Sequence, residues 1–132
     1  MHKILLLIIL LQIVSCTDQG DPILYSITNS SLYDIKIILF SRSGKLDTLA
    51  INISESKILS KDVPPYDCGP LCGYDSVKVI FDDAKILKYI PLKSNSECVD
   101  SIKNPFCPYS NYTCVNHICT FEIDYFEYLK AE

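Results

Sequence analysis

Six of the seven cysteines in this 132-residue chain fall between positions 68 and 119, and the seventh stands alone at position 16. In an exported chain, an even set such as Cys68, Cys72, Cys98, Cys107, Cys114 and Cys119 is a disulfide framework. Spacing does not choose among the pairings that six cysteines allow. Each native bridge is worth ~2–4 kcal/mol, which matters in a domain too small to bury much apolar surface. A zinc site is the competing reading of Cys114-Val115-Asn116-His117-Ile118-Cys119, because on a strand His117 and Cys119 share a face. The paired CxxC spacings of structural zinc sites are missing, however. Cys68-Gly69-Pro70-Leu71-Cys72 has one residue too many for a thioredoxin-type centre and no βαβ setting. Bridging is therefore the expectation, with no metal and no cofactor.

The N-terminus supplies the export. His2 and Lys3 form a short basic start, and residues 4–14 are apolar except for Gln12. That run is shorter than the ~20 residues a helix needs to span a bilayer and fits the apolar region of a secretory signal peptide. It ends Ile13-Val14-Ser15-Cys16. General signal peptidase favours small residues both immediately before the cut and three residues before it. Cutting after Ser15 would place Ile13 at the outer of these positions, whereas cutting after Thr17 would place Ser15 there. The segment resembles the lipobox of bacterial lipoproteins: a branched apolar residue, a small residue, then cysteine. The resemblance implies diacylglyceryl on the Cys16 thiol, cleavage before Cys16 and acylation of the new amine with chains such as palmitate. One buried acyl chain holds a protein marginally, at ~0.8 kcal/mol per methylene, while two or three hold it durably. The chain then divides into a signal peptide (1–15), a lipidated tether (16–22) and a domain (23–132).

Composition limits what that domain is. With 48% hydrophobic and 21% charged residues, it is too apolar to be disordered throughout. A formal charge of −4, more negative once Lys3 is removed, excludes a basic nucleic-acid binder. Four glycines and seven prolines exclude collagen-like and low-complexity chains.

Period-two alternation of β-branched and aromatic residues predicts strands over 23–28, 35–40, 48–53, 76–81 and 117–123, with a further apolar run over 85–92. Residues 41–44 and 82–84 read as hairpin turns, since acidic residues and glycine suit tight turns. Prolines 64, 65 and 70 make residues 63–70 a loop. Residues 94–116 carry three cysteines and little periodicity, so they form a long loop that needs staples. Asp124 and Glu127 have capping-box spacing ahead of a short helix over 124–130, with Ile123 and Tyr128 placed as its hydrophobic staple. The predicted fold class is all-β: an antiparallel β-sandwich-like domain with a disulfide-stapled loop and a short C-terminal helix.

Ile27-Thr28-Asn29-Ser30 leading into Tyr33-Asp34-Ile35-Lys36-Ile37, then Asp75-Ser76-Val77-Lys78-Val79-Ile80-Phe81-Asp82-Asp83, and finally Cys119-Thr120-Phe121-Glu122-Ile123-Asp124 carry a second likeness. Together with the lipobox, they resemble small uncharacterised lipoproteins of Bacteroidota. The resemblance implies a β-rich domain, lipid-anchored in the cell envelope at the outer membrane, on its periplasmic or surface face, and no catalytic activity. Asp18 and Asp21 behind the lipidated cysteine resemble surface-export signals of that group.

Chemistry-bearing residues are sparse. His117 is the one histidine after the signal peptide, so a thiol- or metal-dependent enzyme would have to use it. Neither a nucleophile elbow nor a phosphate-binding glycine loop occurs. Asn29, Asn52 and Asn111 match glycosylation acceptors, a chance match in a bacterial chain. Phe106, Tyr109 and Tyr112 lie in the stapled loop as a candidate contact surface, unless they cover the bridges and pack on the sheet. The expected function is a non-enzymatic binding or structural module held to the membrane by its lipid. An envelope protein or glycan is its expected partner, and nucleic acid is not. The alternatives are an accessory subunit of an outer-membrane complex and the His117 enzyme.

Overall fold

The structure is a computed structural model that describes residues 20–63, 69–93, 97–98, 103–107 and 111–132. The predicted Cys16 anchor, Cys68 and Tyr109 lie outside the described residues. Among the described residues, eight strands form two four-stranded sheets. The first sheet is ordered β4-β1-β8-β7, from Ser56–Asp62, Ile23–Asn29, Ile118–Ile123 and Thr113–Val115. The second is ordered β3-β2-β5-β6, from Leu46–Ile51, Ile35–Ser41, Tyr74–Phe81 and Ile86–Tyr89. Helix α1, Tyr125–Lys130, follows β8. The sandwich-like all-β class expected from alternation is what the chain adopts. All neighbours pair antiparallel except β1 and β8. Those two run parallel, because the last long strand returns beside the first.

Alternation decides the core. Tyr25 and Ile27 of β1 and Cys119, Phe121 and Ile123 of β8 point inward from one sheet. Ile35, Ile37 and Leu39 of β2 and Val77, Val79 and Phe81 of β5 meet them from the other. Burying each large side chain stabilises by ~1.5–3 kcal/mol. Asn29 is also fully buried. Its amide donates to the carbonyls of Tyr33 (2.8 Å) and Ile51 (3.1 Å), and its Oδ1 accepts from the Ser31 N–H (3.1 Å) and hydroxyl (2.7 Å). The amide thereby ties the Asn29 end of β1 to the end of the second sheet where Ile51 faces Ile35. At the opposite end the Ser60 hydroxyl donates to the Pro70 carbonyl.

Strands β4 and β7 lie where alternation gave no signal. In β4 the apolar pair Ile58-Leu59 is consecutive because of a bulge. Tyr25 faces Ser60 while Ser26 faces Ile58, so Leu59 is the extra residue. Strand β7 is three residues long and exposed throughout. The predicted third strand slides toward the N-terminus. Ile53, 50% exposed, sits in a turn whose amide donates to Asp34 (2.9 Å), with Ser54 at φ 65°. The run predicted over 85–92 shortens to four residues. His117 leaves the last strand, because Asn116 (φ 49°) and His117 (φ 63°) are both left-handed. They form the two-residue turn of the β7–β8 hairpin, and consecutive positive φ values mark a type I′ connection. The two predicted turns are present at 41–44 and 82–84, with Gly44 and Ala84 donating back to the carbonyls of Ser41 and Phe81.

The capping box forms by half. The Asp124 carboxylate accepts from the Glu127 N–H at 3.0 Å, but the Glu127 carboxylate turns inward. It is 1% exposed and accepts from the Tyr89 hydroxyl and from Lys130 Nζ (2.5 Å). Ile123 and Tyr128 share the core cluster as the staple requires. Tyr128 stacks on Tyr33 with centroids 4.4 Å apart and meets Phe81 edge-on at 5.2 Å.

Candidate functional site

The cysteines that are described are all bonded. Cys98 pairs with Cys107, and Cys114 with Cys119. Cys72 is disulfide-bonded as well, to a cysteine outside the described residues. The Cys114–Cys119 bridge crosses directly opposed residues of β7 and β8, with Cα atoms 4.0 Å apart. It locks the hairpin on which His117 stands. The thiols nearest His117 in sequence are therefore joined to each other and available neither as nucleophile nor as zinc ligand. His117 itself is exposed on the turn, its Nε2 3.8 Å from Asp21 Oδ2. Among the described residues no group of three or more histidines, cysteines or carboxylates is placed to hold a metal ion.

Of the aromatic residues expected to form a contact surface on the stapled loop, Tyr109 lies outside the described residues, while Phe106 and Tyr112 are turned to the core. Tyr112 is 7% exposed. Its ring lies edge-on to Tyr25 at 5.3 Å and tilted against Phe121 at 5.6 Å, and its hydroxyl donates to the Pro105 carbonyl at 2.6 Å. That burial pushes the phenol pKa far above its ordinary value. Phe106 is half-buried and packs on the same core. A ring already surrounded by protein offers no face to a partner, so Tyr112 belongs to the core. The loop is held by Asn104, whose amide donates to the Ile90 carbonyl at 2.9 Å while its Oδ1 accepts from the Phe106 N–H at 3.0 Å.

A groove lies on the outer face of the β4-β1-β8-β7 sheet. It encloses about 560 Å³ over Thr28, Ile118, Thr120 and Glu122, with Thr113, Val115 and Asn116 at its rim. Strand register builds it. Ser26 lies beside Thr120 and Thr28 beside Glu122 across the parallel pair, and Thr113 lies opposite Thr120. The hydroxyls are linked, Ser26 to Thr120 at 2.8 Å and Thr28 to Ser56 at 2.6 Å, and Ser30 donates to Glu122. The result is a polar ledge of donors and acceptors, flanked by exposed Ile58, Val115 and Ile118, with one carboxylate at its end. Such a surface exchanges hydrogen bonds with a neutral polar ligand and repels an anion at Glu122. These residues carried a readable signal: beyond Leu24 and Ile118, each outward position of β1 and β8 is a hydroxyl or a carboxylate.

No protein-family model, curated protein or solved structure matches the chain.

Proposed function

We propose that the chain is a lipid-anchored envelope protein whose sandwich serves as a non-enzymatic binding module, with the hydroxyl-lined groove as its ligand face. The observation that carries this reading is the state of the cysteines. Cys72, Cys98, Cys107, Cys114 and Cys119 are all in disulfides, a condition that persists in oxidising compartments outside the cytosol. It agrees with an apolar leader that ends at Cys16, the cysteine expected to be acylated rather than bridged. A glycan suits the groove, since its hydroxyls can pair with Thr28, Thr113, Thr120 and Glu122 while its apolar faces rest on Ile118 and Val115. Titration of the purified protein with neutral envelope glycans tests the assignment. Binding should fall at least about tenfold in Thr120→Val/Glu122→Gln, the equivalent of one or two lost hydrogen bonds, measured well below the unfolding midpoint of the variant, which the loss of the Ser26–Thr120 bond lowers. Unchanged affinity would remove the groove from the account.

A second reading, an accessory subunit of an outer-membrane complex, is favoured by one observation. Phe126 and Leu129 of α1 are 71% and 55% exposed, beside Tyr125 at 44%. It requires co-purification with a membrane protein at constant ratio, lost in Phe126→Glu/Leu129→Glu. Release of the protein as a monomer in mild detergent would end that reading.

A further inference from the structure

The outer face of the β3-β2-β5-β6 sheet is the groove's opposite in chemistry. Since Ile37, Leu39, Val77 and Val79 point into the core, their neighbours Lys36, Ile38, Phe40, Lys78 and Ile80 point out. Register sets Ala50, Lys36, Ile80 and Ile86 in one row across the strands, Thr48, Ile38, Lys78 and Lys88 in the next, and Leu46, Phe40 and Ser76 in the third. These positions hold three lysines, six large or small apolar residues and no carboxylate, on a chain whose net charge is −4. Arg42, Lys45, Lys57, Lys103 and Lys130 all have carboxylate partners. Among the described residues Lys36, Lys78 and Lys88 have none, and neither do Lys61, Lys85 and Lys93, which lie off this face; what sets the three apart is their clustering in register. Lys78 instead lies over the Phe40 ring, 5.2 Å from its centroid. Leu46 and Ile86 stay 59% and 42% exposed.

The chain's own geometry sets one end of this face near the expected anchor. Asn29 ties one end of β1 to the Ile35–Ile51 end of the second sheet. The entry to β1 at Ile23 therefore lies at the other end, where Phe40 and Leu46 face each other. A tether over 16–22 reaches at most ~24 Å when fully extended. The domain thus stays beside the lipid, with the apolar Phe40–Leu46 row nearest the anchor and the lysines behind it. At the far end Asp34 and Asp82 share a hollow with Lys36, Ala50 and Ile80 of the first row, so acidic groups border the face there and its positive charge centres on Lys78 and Lys88.

We infer that this face lies on the bilayer, its three unpaired lysines against anionic phospholipid headgroups and Phe40 and Leu46 at the headgroup boundary. The inference rests on the lipid anchor proposed above and adds an orientation: one face down on lipid, the groove of the other sheet turned to its ligand. An amphiphilic surface of this kind combines apolar burial with attraction to anionic lipid.

Lysine footprinting on the lipidated protein, with no substitution and so no question of folding, tests it. The protein is placed in vesicles of phosphatidylcholine alone and in vesicles containing phosphatidylglycerol. Both are pulsed with a membrane-impermeant acetylating reagent, and the peptides are read by mass. Acetylation of Lys36, Lys78 and Lys88 should slow about fivefold in the anionic vesicles, as expected for one ammonium held at an anionic leaflet, and recover in high salt. Lys61, on the outer side of the other sheet, should react equally in both. Equal rates at all four lysines overturn the inference. So does protection in native envelopes but not in anionic vesicles, which would assign the face to a protein. The mass of the Cys16 peptide scores the anchor separately. If that peptide carries no acyl chain the anchor fails alone, and slowed acetylation of soluble protein mixed with the same vesicles still upholds the face.

Discussion

Asn29 shows how much a single buried amide can decide. It sits where an alternating strand should place another apolar residue, and it is fully buried. Four hydrogen bonds explain it, two from its amide and two to its oxygen, and among the described residues no buried side-chain polar atom lacks a partner. Asn29→Ala would strip the Tyr33 and Ile51 carbonyls of their donor in a dry site. The expected cost is roughly 2–3 kcal/mol, read as a lower urea midpoint with an unchanged slope. A cost below about 0.5 kcal/mol would mean that the carbonyls find other donors. In the sequence, Asn29 showed as a glycosylation match and as one position of the lipoprotein-like motif, and neither marked it as buried, because a side chain bonded to the backbone of another strand leaves no local trace. Tyr112 was harder still. An aromatic residue in a loop reads equally well as anchor or as core, and only the rings of Tyr25 and Phe121 against it decide.

At the scale of elements, alternation located the long strands and missed those that other forces hold. Strand β4 is masked by its bulge. Strand β7 has no apolar face and exists because the Cys114–Cys119 bridge and the Asn116-His117 turn fold it onto β8. The I′ turn favours glycine at its second central position, so His117→Gly should be neutral or stabilise by up to about 1 kcal/mol. His117→Val should destabilise by ~1–2 kcal/mol, since a β-branched residue resists positive φ. Thermal midpoints of the two variants check this, and a midpoint lowered as much by glycine as by valine would contradict the turn assignment. Helix α1 starts at Asp124. Burial alone would raise its carboxyl pKa. The Lys103 ammonium at 2.8 Å and the N–H groups of Glu127 and Phe126 outweigh burial and hold it below the usual carboxylate range. A folded-state pKa depressed in this way stabilises the protein above the unfolded value, ~3.9. The contribution is lost as pH falls through the folded value. Asp124→Asn keeps a capping side chain but should flatten the part of the stability profile below about pH 4 that belongs to this site. An identical acid profile in the variant would exclude Asp124 as its source. The half-formed capping box follows from burial, because Glu127 serves Tyr89 and Lys130 in the core rather than the helix N-terminus.

At the scale of the molecule, one sandwich presents two outer faces of different chemistry. One carries the hydroxyl ledge with Glu122, and the other carries Lys36, Lys78 and Lys88 among apolar residues. Class and layering were legible because half-buried strands announce themselves by period two. The faces were less so, since an outward lysine or threonine reads as solvated surface until register sets it beside others of its kind. Among the described residues no helix is long and apolar enough to cross a membrane. The central claim is that an exported chain closes six cysteines in pairs and carries acyl chains on its seventh. Intact mass of the protein isolated from membranes, before and after reduction and alkylation, tests it most directly. The account predicts a chain beginning at Cys16 with added acyl mass, no alkylation before reduction and six alkylated cysteines after it. A chain that still begins at Met1, or that alkylates at the bridge cysteines without reduction, would contradict it.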